Sequence, residues 1–483
     1  MQLQKLLERL PQFVELRGSP ETEINTLTCN SREKTDRGLF FCIPGTRVDS
    51  HSFAPQAVQN GCVALVVEHW LDVDAVQVLV TDSRAAMSRM AAAFNGYPAD
   101  HLRLIGITGT KGKTTTSYMV KSILTQAGRS CGLIGTTGNM IGNRMLPSHL
   151  TTPDPVELQA TLREMVEAGV QDVVMEVSAH ALDMRRLDGM VFEAGCYTNL
   201  SQDHLDYFHT MENYFEAKKK FFTTGMVKNG AFNSDEETTA KLTEGLQLPS
   251  VTYGICEDSD LFARNIEISE NGVSFEIQLQ GLHVYPVHLR MTGMFNVYNA
   301  LAAAACALIV GVSGEDICRG LEAIASVPGR VEMLPTGTPY KVILDYSHSP
   351  DALDNILRTV RTFTRGKLIA LFGCGGDRDR GKRPMMGEIG GRLADYCILT
   401  SDNPRTEDPM AILAAIEEGI RPTGGKYTVI ENRRDAIRYA LHMAADGDII
   451  VLAGKGHETY QEIQGVRHPF DEKQVVQEPL AEK

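Results

Sequence analysis

Residues Ile107 to Thr116 read "ITGTKGKTTT" and concentrate the side chains that hold a nucleoside triphosphate. Glycines let backbone N–H groups approach the phosphates. A lysine neutralises the β- and γ-oxygens, and a following hydroxyl serves Mg²⁺. Gly109, Thr110, Lys111, Gly112, Lys113, Thr114 and Thr115 supply this set, with Lys113 on the phosphates and Thr114 on the metal. The common form of such a loop places four residues between the first glycine and the Gly-Lys pair. Here only Thr110 and Lys111 intervene. The flanks support the phosphate reading. "LRLIGIT" has the composition of a buried strand, and the segment after the loop places Met119, Val120, Ile123, Leu124 and Ala127 on one helical face, with Gly128 as the stop. Strand, glycine turn and helix aim N–H groups and the positive end of the helix dipole at the anion.

Three further groups carry chemistry. Glu176 ends the apolar run "DVVMEVS". A buried carboxylate needs a cation, which either a metal at the phosphates or a neighbouring lysine would provide. "NLSQDHLDYF" gathers Asn199, Asp203, His204 and Asp206, and "YFEAKKKFF" follows. Taken alone, His204 suits a surface hydrogen bond as well as a metal, and three successive lysines suit a solvated face. Toward the C-terminus, "KVILDYS", "KLIALFG", "DYCILTS" and "DIIVLAG" each run into polar residues: "HSPD", "CGGDRDRGKR", "DNPR" and "KGHE". Ligands of open α/β sheets bind beyond the carboxyl ends of strands, so these four clusters are expected on one rim.

These groups need a scaffold of three units. A chain of 483 residues suggests about three domains. Composition is ordinary for a globular protein, with 43% hydrophobic and 22% charged residues. A formal net charge of -14 without a basic run argues against nucleic acid or an anionic membrane as partner. The ten cysteines form no CxxC pair and read as reduced, buried thiols. "MQLQKLLERLPQF" is amphipathic and lacks a signal-peptide core, and "ALAAAACALIVGV" is too short to span a bilayer and reads as a buried helix. The first unit, residues 1–98, alternates short strands ("GLFFCIPG", "CVALVVE", "VQVLVTDS") with helical runs; the second, 99–331, holds the phosphate loop; the third, 332–483, repeats strand and helix as a parallel sheet requires.

"TGTKGKTTT", "EVSAHAL", "NLSQDHLDY", "YFEAK", "GMFNVYNALAA", "PGRVE", "DYSHSPDAL" and "SDNPRTEDP" follow one another in this order. The ordered set resembles the Mur ligase family of peptidoglycan synthesis, from "NSR" near residue 31 to "GKGHE" near residue 456, and the shortened loop is the form that family uses. The resemblance implies an α/β protein of three domains: a small N-terminal UDP-binding unit, a central P-loop ATPase with a mainly parallel sheet, and a C-terminal Rossmann-like unit that brings the amino acid. It picks Lys218 of "EAK" as a carbamylated lysine (N6-carboxylysine), which with Thr114, Glu176 and His204 binds Mg²⁺ at two sites. Burial lowers a lysine's pKa, and only the neutral amine adds CO₂. It assigns Asn296, Asn299, Arg330 and Asp345 to ATP, although each asparagine equally suits a helix cap. It assigns Ser31, Thr46, Arg47, Val48, Thr151, Thr152, Ser178 and Arg186 to a UDP-muramoyl dipeptide. Some relatives carry glutamine where Met184 stands here.

The implied reaction is amide formation driven by ATP. The γ-carboxyl of D-glutamate becomes an acyl phosphate, then an amine displaces phosphate. Arg378, Asp402, Asn403, Pro404, Arg405, Gly454 and Glu458 are implied contacts of diaminopimelate. The Arg405 fork suits a distal carboxylate that lysine lacks, and Glu458 suits the distal ammonium. His180 either orients reacting groups or is a core histidine. A cytoplasmic monomer is expected. The alternatives are the same ligation with lysine or another diamino acid, a folylpolyglutamate synthetase, and a nucleotide-binding regulator without ligase activity.

Overall fold

The computed structural model describes residues 1–45, 48–146, 148, 150–279 and 284–481. The fold is mixed α/β, and its sheets are mostly parallel, as the sequence pattern predicts. Near the N-terminus, the strands Phe13–Arg17, Val76–Val80, Cys62–Val67, Gly38–Phe41 and Thr26–Thr28 lie side by side in that order, all but the first pairing in parallel. The helix Ser83–Phe94 covers this sheet with Ala86, Met90 and Ala91 fully buried.

The largest sheet is built around the strand Arg103–Thr108. Asp172–Glu176 pairs with one side of it and Ala194–Tyr197 with the other, both in parallel. Glu176 is opposite Ile107 and Tyr197 opposite Thr108, so the carboxyl ends of three strands open beside the phosphate loop. The helix after the loop, Lys113–Gln126, buries Met119, Val120, Ile123 and Leu124, and Gly128 follows with φ +76°. The alanine-rich run forms the buried helix Met294–Ile309. No described helix is long and apolar enough to cross a membrane.

Two antiparallel extensions of this sheet were not anticipated from the sequence. Leu261–Ser269, Gly272–Leu279 and Val284–Leu289 extend one edge, and Gly138–Ile141 with Arg144–Leu146 extends the other. In Gly272–Leu279, Val273, Phe275 and Ile277 are buried at every second residue, the spacing of a strand with one covered face.

The C-terminal sheet runs Glu332–Leu334, Lys341–Asp345, Ile449–Ala453, Leu368–Phe372, Tyr396–Leu399 and Tyr427–Val429, parallel except at its first pair. Its central strands, Lys341–Asp345, Ile449–Ala453 and Leu368–Phe372, are buried on both faces, which explains their unbroken apolar runs. A hairpin of Tyr460–Ile463 and Val466–Pro469 stands beside the rim. All ten cysteines are free, but Cys29 and Cys256 are exposed, which corrects the expectation of uniformly buried thiols.

Candidate active site

Backbone geometry explains the glycines of the phosphate loop. Gly109 has φ +148° and its Cα faces Thr198, so a Cβ there would collide with Thr198 Oγ1. Gly112 has φ +85°, and a Cβ there would collide with Asn299 Oδ1. Lys113 Nζ folds back on its own loop, donating to the carbonyls of Gly109 and Thr110 at 2.9 Å each. Thr114 Oγ1 donates to Glu176 Oε2 at 3.0 Å and accepts from Arg330 Nη2 at 3.1 Å. Glu176 is fully buried and accepts twice more, from the Thr136 N–H at 2.9 Å and the Thr136 hydroxyl at 3.0 Å. Thr136 Oγ1 is 3.0 Å from Thr151 Oγ1, which links the loop to the residues expected to meet the UDP-dipeptide.

Lys218 is selected by helical phase. In the helix Met211–Thr223, Tyr214, Phe215, Ala217, Lys218, Phe221 and Phe222 form the buried face, whereas Lys219 is half-buried and Lys220 exposed. Lys218 Nζ donates to the Gly109 carbonyl at 2.8 Å and lies 4.4 Å from the centre of the Tyr214 ring. Burial, reinforced by the Lys113 charge, pushes its pKa well below the ordinary lysine value. His204 has φ +57° and stacks edge-on against His180 at 4.8 Å. Burial drives its pKa down to about 3, against the attraction of Asp203. His180 thus sits in the cleft wall against His204.

One cleft of about 1450 Å³ collects these groups and the C-terminal rim. Lys113, Glu176, His204 and Lys218 line it from the central sheet, and Arg378, Arg405 and Glu458 from the C-terminal sheet. The phosphate loop and the arginine fork therefore face one space. The central and C-terminal units touch through Lys111 and Asp351 at 3.1 Å, Gln202 and Asp379 at 3.2 Å, and Asp203 and His348 at 3.9 Å. Thr151, Thr152, Ser178 and Arg186 also line the cleft. Arg186 Nη1 donates to the Thr152 carbonyl at 2.7 Å, and its Nη2 lies 3.4 Å from the sulfur of Met184.

Several expected contacts stand apart from this lining. Ser31 donates its hydroxyl to Gln56 Oε1 at 2.8 Å in the N-terminal unit, and Val48 is exposed there. Thr46 and Arg47 lie outside the described residues. Asn296 sits one layer behind Asn299: its amide donates to the Thr292 carbonyl at 2.8 Å, and its oxygen accepts from Asn299 at 3.1 Å. Asp345 lines the cleft with both oxygens engaged, one by the Val331 N–H at 2.8 Å and the other by the Ser347 hydroxyl. Asp402, Asn403, Pro404 and Gly454 lie behind Arg405 and Glu458, outside the lining. Among the lining residues that had been given no role are Thr136, Tyr346 and His348. His348 was legible as part of the rim cluster "HSPD". Its Nδ1 lies 2.8 Å from the Tyr346 carbonyl oxygen.

Buried carboxylates and hydroxyls at a phosphate loop, facing cations on a second sheet, suit ATP-driven joining of an acid to an amine. Comparisons with known proteins agree. Residues 107–307 match the description "Mur ligase middle domain", and residues 329–456 match "Mur ligase, glutamate ligase domain". A protein of Geobacillus thermodenitrificans named UDP-N-acetylmuramoyl-L-alanyl-D-glutamate--2,6-diaminopimelate ligase is 44% identical over 491 aligned positions, covering 100% of both chains. One of the same name from Caldanaerobacter subterraneus subsp. tengcongensis is 44% identical, covering 97% of each chain. A solved structure of a ligase of that name superposes with a TM-score of 0.70 at 32% identity, covering 100% of this chain and 99% of that one. Shared sequence over the whole length, with the phosphate loop and the C-terminal rim meeting at one cleft, places this chain in the Mur ligase family.

Proposed function

We propose that the chain is an ATP-dependent ligase that adds meso-2,6-diaminopimelate to the D-glutamate γ-carboxyl of UDP-N-acetylmuramoyl-L-Ala-D-Glu. What carries the reading is the single cleft lined by Lys113, Arg186 and Arg405, one cation for each substrate. Residues 1–98 and the wall around Thr152 receive the UDP-dipeptide, 99–331 the ATP, and 332–483 the amino acid. All substrates are small molecules, and the protein is taken as a cytoplasmic monomer.

The site fits Mg²⁺. Among the described residues, no group of three or more His, Cys, Asp or Glu side chains is arranged to hold a metal. Glu176 is nevertheless fully buried with hydroxyl and N–H partners and, among the described residues, no ion pair. Carbamylation of Lys218 would replace a buried amine with a carboxylate-like group and complete an oxygen-rich set with Thr114 and Glu176, joined by His204. Bound Mg²⁺ would neutralise the crowded phosphate oxygens.

The protein's own groups account for the rest. Lys113 exchanges the Gly109 and Thr110 carbonyls for phosphate oxygens, and the N–H groups at the start of Lys113–Gln126 face the same charge. Thr152, Ser178 and Arg186 hold the dipeptide so that its γ-carboxylate attacks the terminal phosphorus as the bond to ADP breaks. Arg405 and Glu458 then present the amino acid. Its neutral amine attacks the acyl carbon, phosphate leaves with the bonding pair, and the amine proton passes to solvent. Closer apposition of the two sheets around bound substrates would limit the water that reaches the acyl phosphate.

The test is an acceptor panel with UDP-muramoyl dipeptide and Mg-ATP. Phosphate release should require both dipeptide and diaminopimelate. Release without acceptor would indicate a plain ATPase, and equal rates with lysine would refute the assigned specificity.

A further inference from the structure

Lys455 lies beneath the amino-acid rim with a fully buried side chain. Its Nζ donates to Asn403 Oδ1 at 3.1 Å and to Glu458 Oε2 at 3.1 Å, and Asp402 Oδ1 is 4.0 Å away. These partners come from two strand ends, "DNPR" and "KGHE". The contacts interlock. Asn403 Nδ2 donates to the same Glu458 oxygen at 2.9 Å, and Asn403 Oδ1 also accepts the Glu462 N–H at 2.9 Å. The other Glu458 oxygen accepts from the Tyr346 hydroxyl at 3.3 Å.

The cations are shared unequally. Asp402 feels Arg433 and Lys382 as well as Lys455, and Arg433 also pairs with the buried Glu472 at 2.7 Å. Among the described residues, Lys455 is the cation ion-paired with Glu458, and of the two acids Glu458 is the one that lines the cleft. Burying an ammonium is costly unless it fixes partners of opposite charge. Here the partners it fixes are those expected to meet the amino acid.

We infer that Lys455 is a positioning residue for amino-acid selection: it locks the Asn403 amide onto Glu458, so that Glu458 offers its charge to an ammonium group of the incoming acceptor. The inference rests on the ligase reading above and adds to it the device that sets the acceptor site. With Lys455 gone, Glu458 and Asn403 lose their common partner, and binding of the amino acid suffers while ATP and dipeptide binding do not.

The experiment compares Lys455→Met and Lys455→Gln with the unmodified protein, varying each of the three substrates in turn. Lys455→Met should raise the KM for diaminopimelate by about tenfold or more, with the KM values for ATP and UDP-dipeptide within about twofold. Lys455→Gln, which keeps N–H donors, should recover part of that loss. If Lys455→Met does not fold, it is remade with Asp402→Asn, which removes one buried negative charge, and compared with Asp402→Asn alone; the same selective rise is expected. An unchanged diaminopimelate KM, or an equal rise for all three substrates, overturns the inference and leaves the ligase reading standing. Unmodified protein that forms no amide product overturns both.

Discussion

Replacing Arg405 with alanine should separate recognition of diaminopimelate from recognition of lysine. Arg405 lines the cleft with its side chain 21% exposed; Nη1 donates to the Gly376 carbonyl at 2.7 Å, and Nε faces Glu462 Oε2 at 3.5 Å. A carboxylate held by this fork gains charge-assisted hydrogen bonds of about 1.5–3 kcal/mol each. Partial exposure and competition from Glu462 place a two-point contact near the lower end, about 3 kcal/mol in total, or about a hundredfold in kcat/KM. Lysine has no distal carboxylate, so its kcat/KM should stay within about threefold of the starting value or rise as an unpaired guanidinium is removed. Arg405→Lys keeps the charge without the fork and should fall between. Because the backbone at 405 has φ +51°, lysine and alanine carry the same strain there, and the difference between them reports the head group. Product formation is followed by mass and phosphate release with each acceptor. A loss of the same factor for both acceptors would refute the argument, since it would mean that Arg405 supports the fold of the rim and not one carboxylate.

Lys218→Ala should reduce kcat by more than about a hundredfold and recover in part with a small added carboxylate; full turnover without additive would remove a carbamylated Lys218 from the proposed mechanism. Burial, aided by the Arg330 charge, pushes the His457 pKa down to about 4 from 6.5, so this histidine is neutral when folded. Its contribution is therefore present above the unfolded pKa and lost as pH falls from 6.5 toward 4, amounting to at most about 2 kcal/mol at pH 5. His457→Gln should shrink the difference in urea stability between pH 7 and pH 5 by about 1–2 kcal/mol, and an unchanged difference would contradict the shift. Arg433→Met should cost about 3–5 kcal/mol, because Glu472, at 1% exposure, would lose its partner. Adding Glu472→Leu should restore most of that, and a double variant as unstable as the single would show that the pair's packing matters more than its charge.

Sequence was informative wherever a feature depends on near neighbours. The phosphate loop needs a strand, two glycines free of Cβ and a helix start, all within the stretch from Arg103 to Gln126, so its place was legible. The central C-terminal strands, buried on both faces, announced themselves as apolar runs, and the polar clusters that follow them lie at strand ends because a parallel sheet forces that placement. The antiparallel extension from Leu261 to Leu289 also carries a period-two pattern, as at Val273, Phe275 and Ile277, but no motif drew attention to it. Lys218 was picked out from Lys219 and Lys220 by the family resemblance; the helix then buries it on the face it shares with Tyr214, Phe221 and Phe222.

What sequence could not decide is which distant groups share a charge environment. Asn296 and Asn299 look alike in "FNVYN", yet only Asn299 reaches the cleft. Lys455 reads as one more loop lysine until folding buries it between Asn403 and Glu458. The physical reason is that local pattern specifies backbone and burial through short-range sterics and hydrophobic period, whereas the energy of a buried charge depends on partners set by the packing of separate strands. The sequence by itself therefore determined the phosphate loop, the parallel sheets and the rim clusters. Tertiary structure alone decided that Lys113 and Arg405 line one cleft and that a buried lysine ties Asn403 to Glu458 at the C-terminal rim.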